Sequence, residues 1–153
     1  MLNSGQHMFL VRPPVIVRHL SMPDSLRQCI PKCTLLTGSL QDGYDFTLQH
    51  KIGPIPVTLK GRIEIEEEAH NARYLINISG SSRFSGTIAA EVLLKLAAKP
   101  RGTLVSYDAE TETTLLVRLL GKERAETYFA KAIDHVFDRL RLQVKDDAAG
   151  QTA

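Results

Sequence analysis

Apolar residues recur along this chain with two different periods, and each period predicts a different kind of element. From Leu119 to Val144, Ala125, Phe129, Ala132, Val136, Leu140 and Val144 return at spacings of three and four, which gathers them on one stripe of an α-helix. Leu120, Tyr128, Ile133 and Phe137 broaden the stripe, while Lys122, Glu123, Glu126, Lys131, Asp134, Asp138, Arg139 and Arg141 make the wet face. Such a helix is roughly 25 residues and ~37 Å long, and a stripe this wide needs a large apolar surface to lie against.

From Cys33 onward the period is two. Tyr44, Phe46, Leu48 and Ile52 share one face of a strand, and Val57, Leu59, Gly61, Ile63 and Ile65 alternate with Thr58, Lys60, Arg62 and Glu64. Tyr74, Ile76, Ile78 and Gly80 follow the same rule, as do Ile88, Ala90, Val92, Leu94 and Leu96, then Val105, Tyr107, Ala109 and Thr111. This is the pattern of antiparallel strands with one covered and one wet face. Turn chemistry separates them at Gln41-Asp42-Gly43, Gly53-Pro54, Ala69-His70-Asn71 and Pro100-Arg101-Gly102. Upstream, Phe9-Leu10-Val11 reads as a short edge strand. Pro13-Pro14 starts a short helix over Val15–Leu20, and Asp24 or Ser25 caps a second one that Pro31 stops after Cys29. Residues through His7 are predicted to lie outside any element, and the tail after Val144 is predicted to fray.

One strand, two short helices, about six strands in meander and one long helix form an α+β chain whose economical solution is a curved antiparallel sheet of about seven strands wrapped round the C-terminal helix. That is a helix-grip arrangement, and the whole of residues 1–153 fits it as one domain. Where the helix does not fill the groove, a hollow remains, and small inward residues (Gly61, Gly80, Ala90, Ala109) enlarge it. Bulky neighbours filling the same space as ordinary core is the other reading, and the pattern leaves both open.

Composition narrows function mainly by exclusion. Of 153 residues, 43% are hydrophobic and 24% charged, ordinary for a soluble globular protein. A net charge of +2 without any basic run, 6% aromatics and no tryptophan argue against a nucleic-acid partner. No apolar run reaches the ~20 residues that span a bilayer, and the N-terminus lacks signal-peptide regions. Two cysteines and no export signal point to a reducing cytoplasm.

Candidate chemistry is sparse. Cys29 and Cys33 are too few for a zinc site and read as small packing residues or, alternatively, a redox pair. The five histidines fall in no metal-ligand spacing. His50 sits in the inward register of its strand, either as a polar handle at the cavity or as a hydrogen-bonded core histidine. Glu66-Glu67-Glu68 reads as a solvated strand end. Tyr74 and Tyr107 point their hydroxyls inward, toward a ligand's polar group or another protein atom. No catalytic motif, cofactor-binding fingerprint or metal site is expected.

Lys51-Ile-Gly-Pro-Ile-Pro-Val-Thr-Leu-Lys-Gly-Arg62 resembles the "KxGPxxxxxxG" strand pair of the carbon monoxide dehydrogenase G-subunit (CoxG) family, within the START-like (SRPBCC, polyketide cyclase/Bet v 1-like) superfamily. Leu26-Arg-Gln-Cys-Ile-Pro-Lys-Cys33 resembles that family's "LxxCIPGC" segment, with Lys32 where glycine is usual. Arg73-Tyr74, Gly102-Thr103-Leu104 and Leu120-Gly121 are similar in place. The likeness spans about Phe9 to Leu142. It implies a helix-grip fold around a hydrophobic cavity and association with molybdenum-containing carbon monoxide dehydrogenase or related hydroxylases, through lipid or quinone binding, membrane attachment or help in maturation. The long apolar C-terminal anchor of some members is absent, so membrane contact is expected to be peripheral at most.

Three functions follow as expectations. One is a non-enzymatic carrier of a lipid or quinone, its pocket lined from Phe46, Leu48, Val57, Leu59, Tyr74, Ile76, Ala90, Val92, Tyr107, Phe129, Ile133 and Phe137. The second is a docking or maturation factor for a molybdenum hydroxylase, with the cavity incidental. The third is a cyclase- or hydrolase-type enzyme, for which no acid–base constellation is visible.

Overall fold

Residues 1–83 and 86–152 are described by a computed structural model. The alternating segments form seven strands, β1 (Leu2–Phe9), β2 (Cys33–Ser39), β3 (Gly43–Ile52), β4 (Ile55–Ala69), β5 (Arg73–Ser82), β6 (Gly86–Lys99) and β7 (Gly102–Thr113). They make one antiparallel sheet in the order β1-β7-β6-β5-β4-β3-β2. Consecutive strands from β2 to β7 pair with one another, and tight turns join β2 to β3, β3 to β4, β4 to β5 and β6 to β7. Gly53 (φ 62°) and Asn71 (φ 55°) take the left-handed conformation in two of those turns, a region that glycine and asparagine tolerate best. Helices α1 (Pro13–Leu20) and α2 (Pro23–Cys29) follow β1, and α3 (Leu115–Leu120) and α4 (Lys122–Thr152) follow β7.

The register puts the expected apolar face inward. Tyr44 pairs with Ile63, Phe46 with Gly61, Leu48 with Leu59 and His50 with Val57. Directly opposed residues of an antiparallel pair share a face, so these side chains all look toward α4. Tyr44 is wholly buried and donates its hydroxyl to the Leu20 carbonyl at 2.8 Å, which ties α1 to the sheet. Ile52, the last inward position of β3 on the pattern, falls outside the described side chains.

Several boundaries differ from the periodic reading. Residues up to His7 are not a tail: Leu2 to Phe9 pair with Glu110 to Thr103 of β7, and the Met1 ammonium donates to the Thr111 carbonyl at 2.8 Å. The strand therefore spans Leu2–Phe9, and Leu10-Val11 leave it. The C-terminal helix does not begin at Leu119. Gly121 adopts φ 83° and ψ 165°, which no helix can continue through, so Leu115–Leu120 is a separate helix. The tail does not fray at Val144, since α4 runs to Thr152. No proline interrupts it, and Ala148 and Ala149 are strong helix formers. In α2 neither Asp24 nor Ser25 is the cap: Met22 holds that position and Asp24 lies in the first turn. Ser25 Oγ instead meets His19 Nδ1 at 2.7 Å. Lys32, in the place of the family's glycine, has φ 60°.

The glycines of β4 and β5 do not widen the groove as expected. The Phe46 ring lies over them: a Cβ on Gly61 would stand 2.6 Å from Phe46 Cζ and run into the Ser79 carbonyl oxygen, and one on Gly80 would stand 3.3 Å from Phe46 Cζ. Gly61→Ala is expected to destabilise the fold by about 1–3 kcal/mol, the usual cost of overpacking a close contact. Urea unfolding of both proteins measures it. Lys32→Gly is expected to raise the melting temperature, because a left-handed backbone costs a side-chain-bearing residue roughly 1–2 kcal/mol, part of which glycine's larger unfolded-state entropy offsets.

Candidate functional site

The groove between sheet and α4 is closed over one half of the helix and open over the other. Toward the C-terminal half, Phe137 stacks on His7 (ring centroids 4.3 Å apart) and on Tyr107 (5.0 Å). Tyr107 lies directly over Gly5, where a Cβ would come within 2.9 Å of its ring. Arg141 sits 5.2 Å from the Phe9 ring centre, and Gln143 donates to Gln28 Oε1 of α2 at 2.7 Å. Rings, α1 and α2 thus fill this end.

Toward the N-terminal half of α4, no such stack exists. Tyr128, Phe129, Ala132, Ile133 and Val136 face Phe46, Leu48, His50, Val57, Leu59, Ile63, Ile78 and Ile88 across a pocket of about 230 Å³. Leu115 and Leu116 of α3 and Ile30-Pro31 after α2 complete its wall. Thr113 Oγ1 accepts from Leu116 N at 3.1 Å, and Thr114 Oγ1 accepts from Thr87 N at 2.8 Å, so α3 is fastened to the start of β6 beside the pocket.

Of the twelve residues expected at a cavity, Phe46, Leu48, Val57, Leu59, Phe129 and Ile133 line this pocket. Tyr107 and Phe137 belong to the stack that closes the other half. Tyr74 is fully buried near the β4–β5 turn, where its hydroxyl accepts from Asn71 N at 3.1 Å. Ile76, Ala90 and Val92 are half-buried on the sheet and outside the lining. Ala90 borders a separate, polar depression with Asn77, Ser79, Glu91, Glu110 and Glu112. The pattern did not single out Ile30, Pro31, Leu115 or Leu116, because their positions depend on how the short helices fold back. Tyr128 was visible only as a flank of the α4 stripe.

The chemistry of the lining is narrow. Among the described residues, His50 and Tyr128 are its two side chains with polar atoms, and their rings are 6.1 Å apart. Burial, assisted by the Lys32 charge, holds the His50 imidazole below its ordinary pKa of 6.5, and burial raises the Tyr128 phenol. Among the described residues no cysteine, serine or carboxylate lines the pocket. His19 and Ser25 make a buried pair between α1 and α2, apart from it. Cys29 is buried and its thiol is pushed up to about 11, so it is no thiolate nucleophile. Among the described residues no group of three or more His, Cys, Asp or Glu is placed to hold a metal ion. Among them, too, no helix is long and apolar enough to cross a membrane.

A long antiparallel sheet curled on one C-terminal helix, with two short helices after the first strand, is the helix-grip fold of START-like and Bet v 1-like proteins. Residues 5–145 match CoxG, the G-subunit family of carbon monoxide dehydrogenase, and the chain belongs to that family. A conserved protein of Geobacillus kaustophilus has a similar solved structure, with TM-score 0.84, 19% identity, and coverage of 95% of this chain and 96% of that one. A protein of Rhizobium leguminosarum shares the fold at TM-score 0.71 and 12% identity, covering 95% of each chain. Ara h 8.0201 does so at TM-score 0.67 and 13% identity, covering 95% of this chain and 98% of its own. No curated protein matches the chain in sequence.

His7, His19 and His50 are each held below 6.5, with burial the first cause in all three and the charges of Arg141, Arg18 and Lys32 respectively adding to it. A folded-state pKa below the unfolded value means the unfolded chain binds more protons, so stability rises with pH through that window and is lost as pH falls below the unfolded 6.5. Melting temperatures measured from about pH 7.5 down to about pH 5 are expected to fall. His7→Phe, which keeps a ring against Phe137, is expected to flatten part of the fall.

Proposed function

We propose that this protein is a non-enzymatic carrier of a hydrophobic small molecule, lipid-like or quinone-like, held between the sheet and α4. The observation that carries this reading is the unfilled apolar pocket under the N-terminal half of α4. Its volume, about 230 Å³, exceeds the ~150 Å³ of an apolar cavity that takes benzene and falls short of the ~300 Å³ at which sites for drug-sized ligands begin. A bicyclic ring or a short chain segment fits inside, and a longer molecule leaves its remainder outside.

Family membership supports service to a carbon monoxide dehydrogenase-type enzyme that contains molybdenum. In that role the protein works in the cytoplasm, with membrane contact at most peripheral. The family's description as an enzyme subunit favours a second reading as well, a docking or maturation factor whose pocket is incidental. An enzymatic role has less support, since among the described residues His50 and Tyr128 are the titratable side chains of the lining and no cysteine, serine, lysine or carboxylate joins them.

Ala132 lines the pocket from α4, so Ala132→Trp places an indole inside it. Uptake of a fluorescent quinone or acyl-chain analogue is expected to fall at least tenfold while the circular dichroism spectrum is retained. Unchanged uptake by the folded variant rules the pocket out as the carrier site. Native mass spectrometry of the protein from its own host separates the two readings: a stoichiometric apolar adduct supports the carrier, and its absence with a dehydrogenase component co-purifying supports the docking factor.

A further inference from the structure

The pocket's two polar side chains are not scattered. His50 on β3 and Tyr128 on α4 approach each other across the groove, with ring centres 6.1 Å apart at an interplanar angle of 37°. Every other lining side chain among the described residues is a hydrocarbon, from Ile30 and Pro31 to Val136. Among the described residues neither the Tyr128 hydroxyl nor the His50 ring makes a hydrogen bond, and neither is sealed from solvent. Hydrogen-bonding capacity is thus concentrated at one place and left unused by the protein. A polar group that enters a largely apolar site must find its partner there.

The charge of the lining is as informative as its polarity. Among the described residues no Lys, Arg, Asp or Glu contributes to the wall, so a carboxylate or phosphate inside it would meet no charged side chain in contact, the Lys32 charge acting on His50 only from outside the lining. Protonation of His50 would supply one, but burial and the neighbouring Lys32 disfavour the imidazolium.

We propose that Tyr128 and His50 together form a head-group clamp for an uncharged ligand with a single hydrogen-bonding end, a ring carbonyl or hydroxyl, on an otherwise apolar body. The Tyr128 hydroxyl donates to the carbonyl, and the neutral imidazole donates to or accepts from the same head according to its tautomer. This rests on the pocket being a ligand site and specifies which ligand chemistry that site selects. Free fatty acids and phospholipid head groups are excluded by it.

Three probes with one bicyclic body and different ends test it: 2-acetylnaphthalene (a neutral acceptor), 2-ethylnaphthalene (no polar end) and 2-naphthoate (an anion at about pH 7.5). Affinities for the full chain are measured by titration of the naphthalene fluorescence. In Tyr128→Phe the acetyl compound is expected to lose roughly fivefold in affinity, the equivalent of one net hydrogen bond, while the ethyl compound is unchanged. His50→Phe is expected to move the ratio of the two in the same direction. Naphthoate is expected to bind the wild-type protein at least tenfold more weakly than the acetyl compound. If all three probes bind and neither substitution changes the acetyl-to-ethyl ratio, the clamp is wrong while the pocket stands. Naphthoate binding as tight as that of the ketone also overturns the clamp. If none of the three binds, the carrier reading and the clamp fall together.

Discussion

Phe137 packs on both His7 and Tyr107, whose rings also neighbour each other at 6.1 Å, and the position of α4 follows from that cluster. Aromatic pairs at such separations add about 0.5–1.5 kcal/mol to the burial of the rings, and here they join β1, β7 and α4 at one point. Tyr107 can lie flat only because Gly5 presents no Cβ beneath it. With its C-terminal half fixed against rings and against α2, α4 cannot tilt to close the space beneath its N-terminal half. A rigid rod held at one end over a curved sheet leaves a gap at the other.

Phe46 sets how deep that gap is. Its ring lies across Gly61 and Gly80, so the glycine of the "KxGPxxxxxxG" segment serves close packing of an aromatic on the sheet rather than empty volume. The floor is therefore Phe46 with flanking aliphatic side chains, and the roof is one face of α4 with α3 beside it. The break at Gly121 lets α3 turn Leu115 and Leu116 into the wall. An uninterrupted helix from Leu115 would carry them along the axis of α4 instead.

The parts of this fold legible from the chain are those where one face is apolar and the other wet. The inward registers of β3 to β7 and the stripe of α4 follow from period alone, and that period already placed His50 inward. β1 escaped because its inward positions, Asn3, Gly5 and His7, carry no aliphatic side chain. Pairing with β7 makes it a strand, and no local alternation announces it. The same limit applies to the site. Phe46, Leu59 and Phe129 were visible as inward residues, yet so were Tyr107 and Phe137, and only the three-dimensional stack separates residues that fill the groove from those that surround its unfilled part. Leu115, Leu116, Ile30 and Pro31 reach the pocket through chain reversals, where periodicity carries no information. Lys32 is a case where the residue misled: lysine in place of the family's glycine argues against positive φ, yet the position keeps φ 60°.

The unfilled half of the groove is also a thermodynamic statement. A buried water commonly makes about three hydrogen bonds, and among the described side chains of the lining only His50 and Tyr128 can make them. Water in the remaining volume would be poorly bonded, and an empty pocket would forfeit the dispersion contacts that its walls cannot make with each other. An apolar molecule with one hydrogen-bonding end answers both deficits, since its body meets the hydrocarbon walls and its head meets the one polar corner. A ligand that bound only where α4 and the sheet stand apart at this distance would add its binding free energy to the stability of the folded state by mass action. The same geometry that leaves the core incomplete would thereby couple stability to occupancy under the carrier reading.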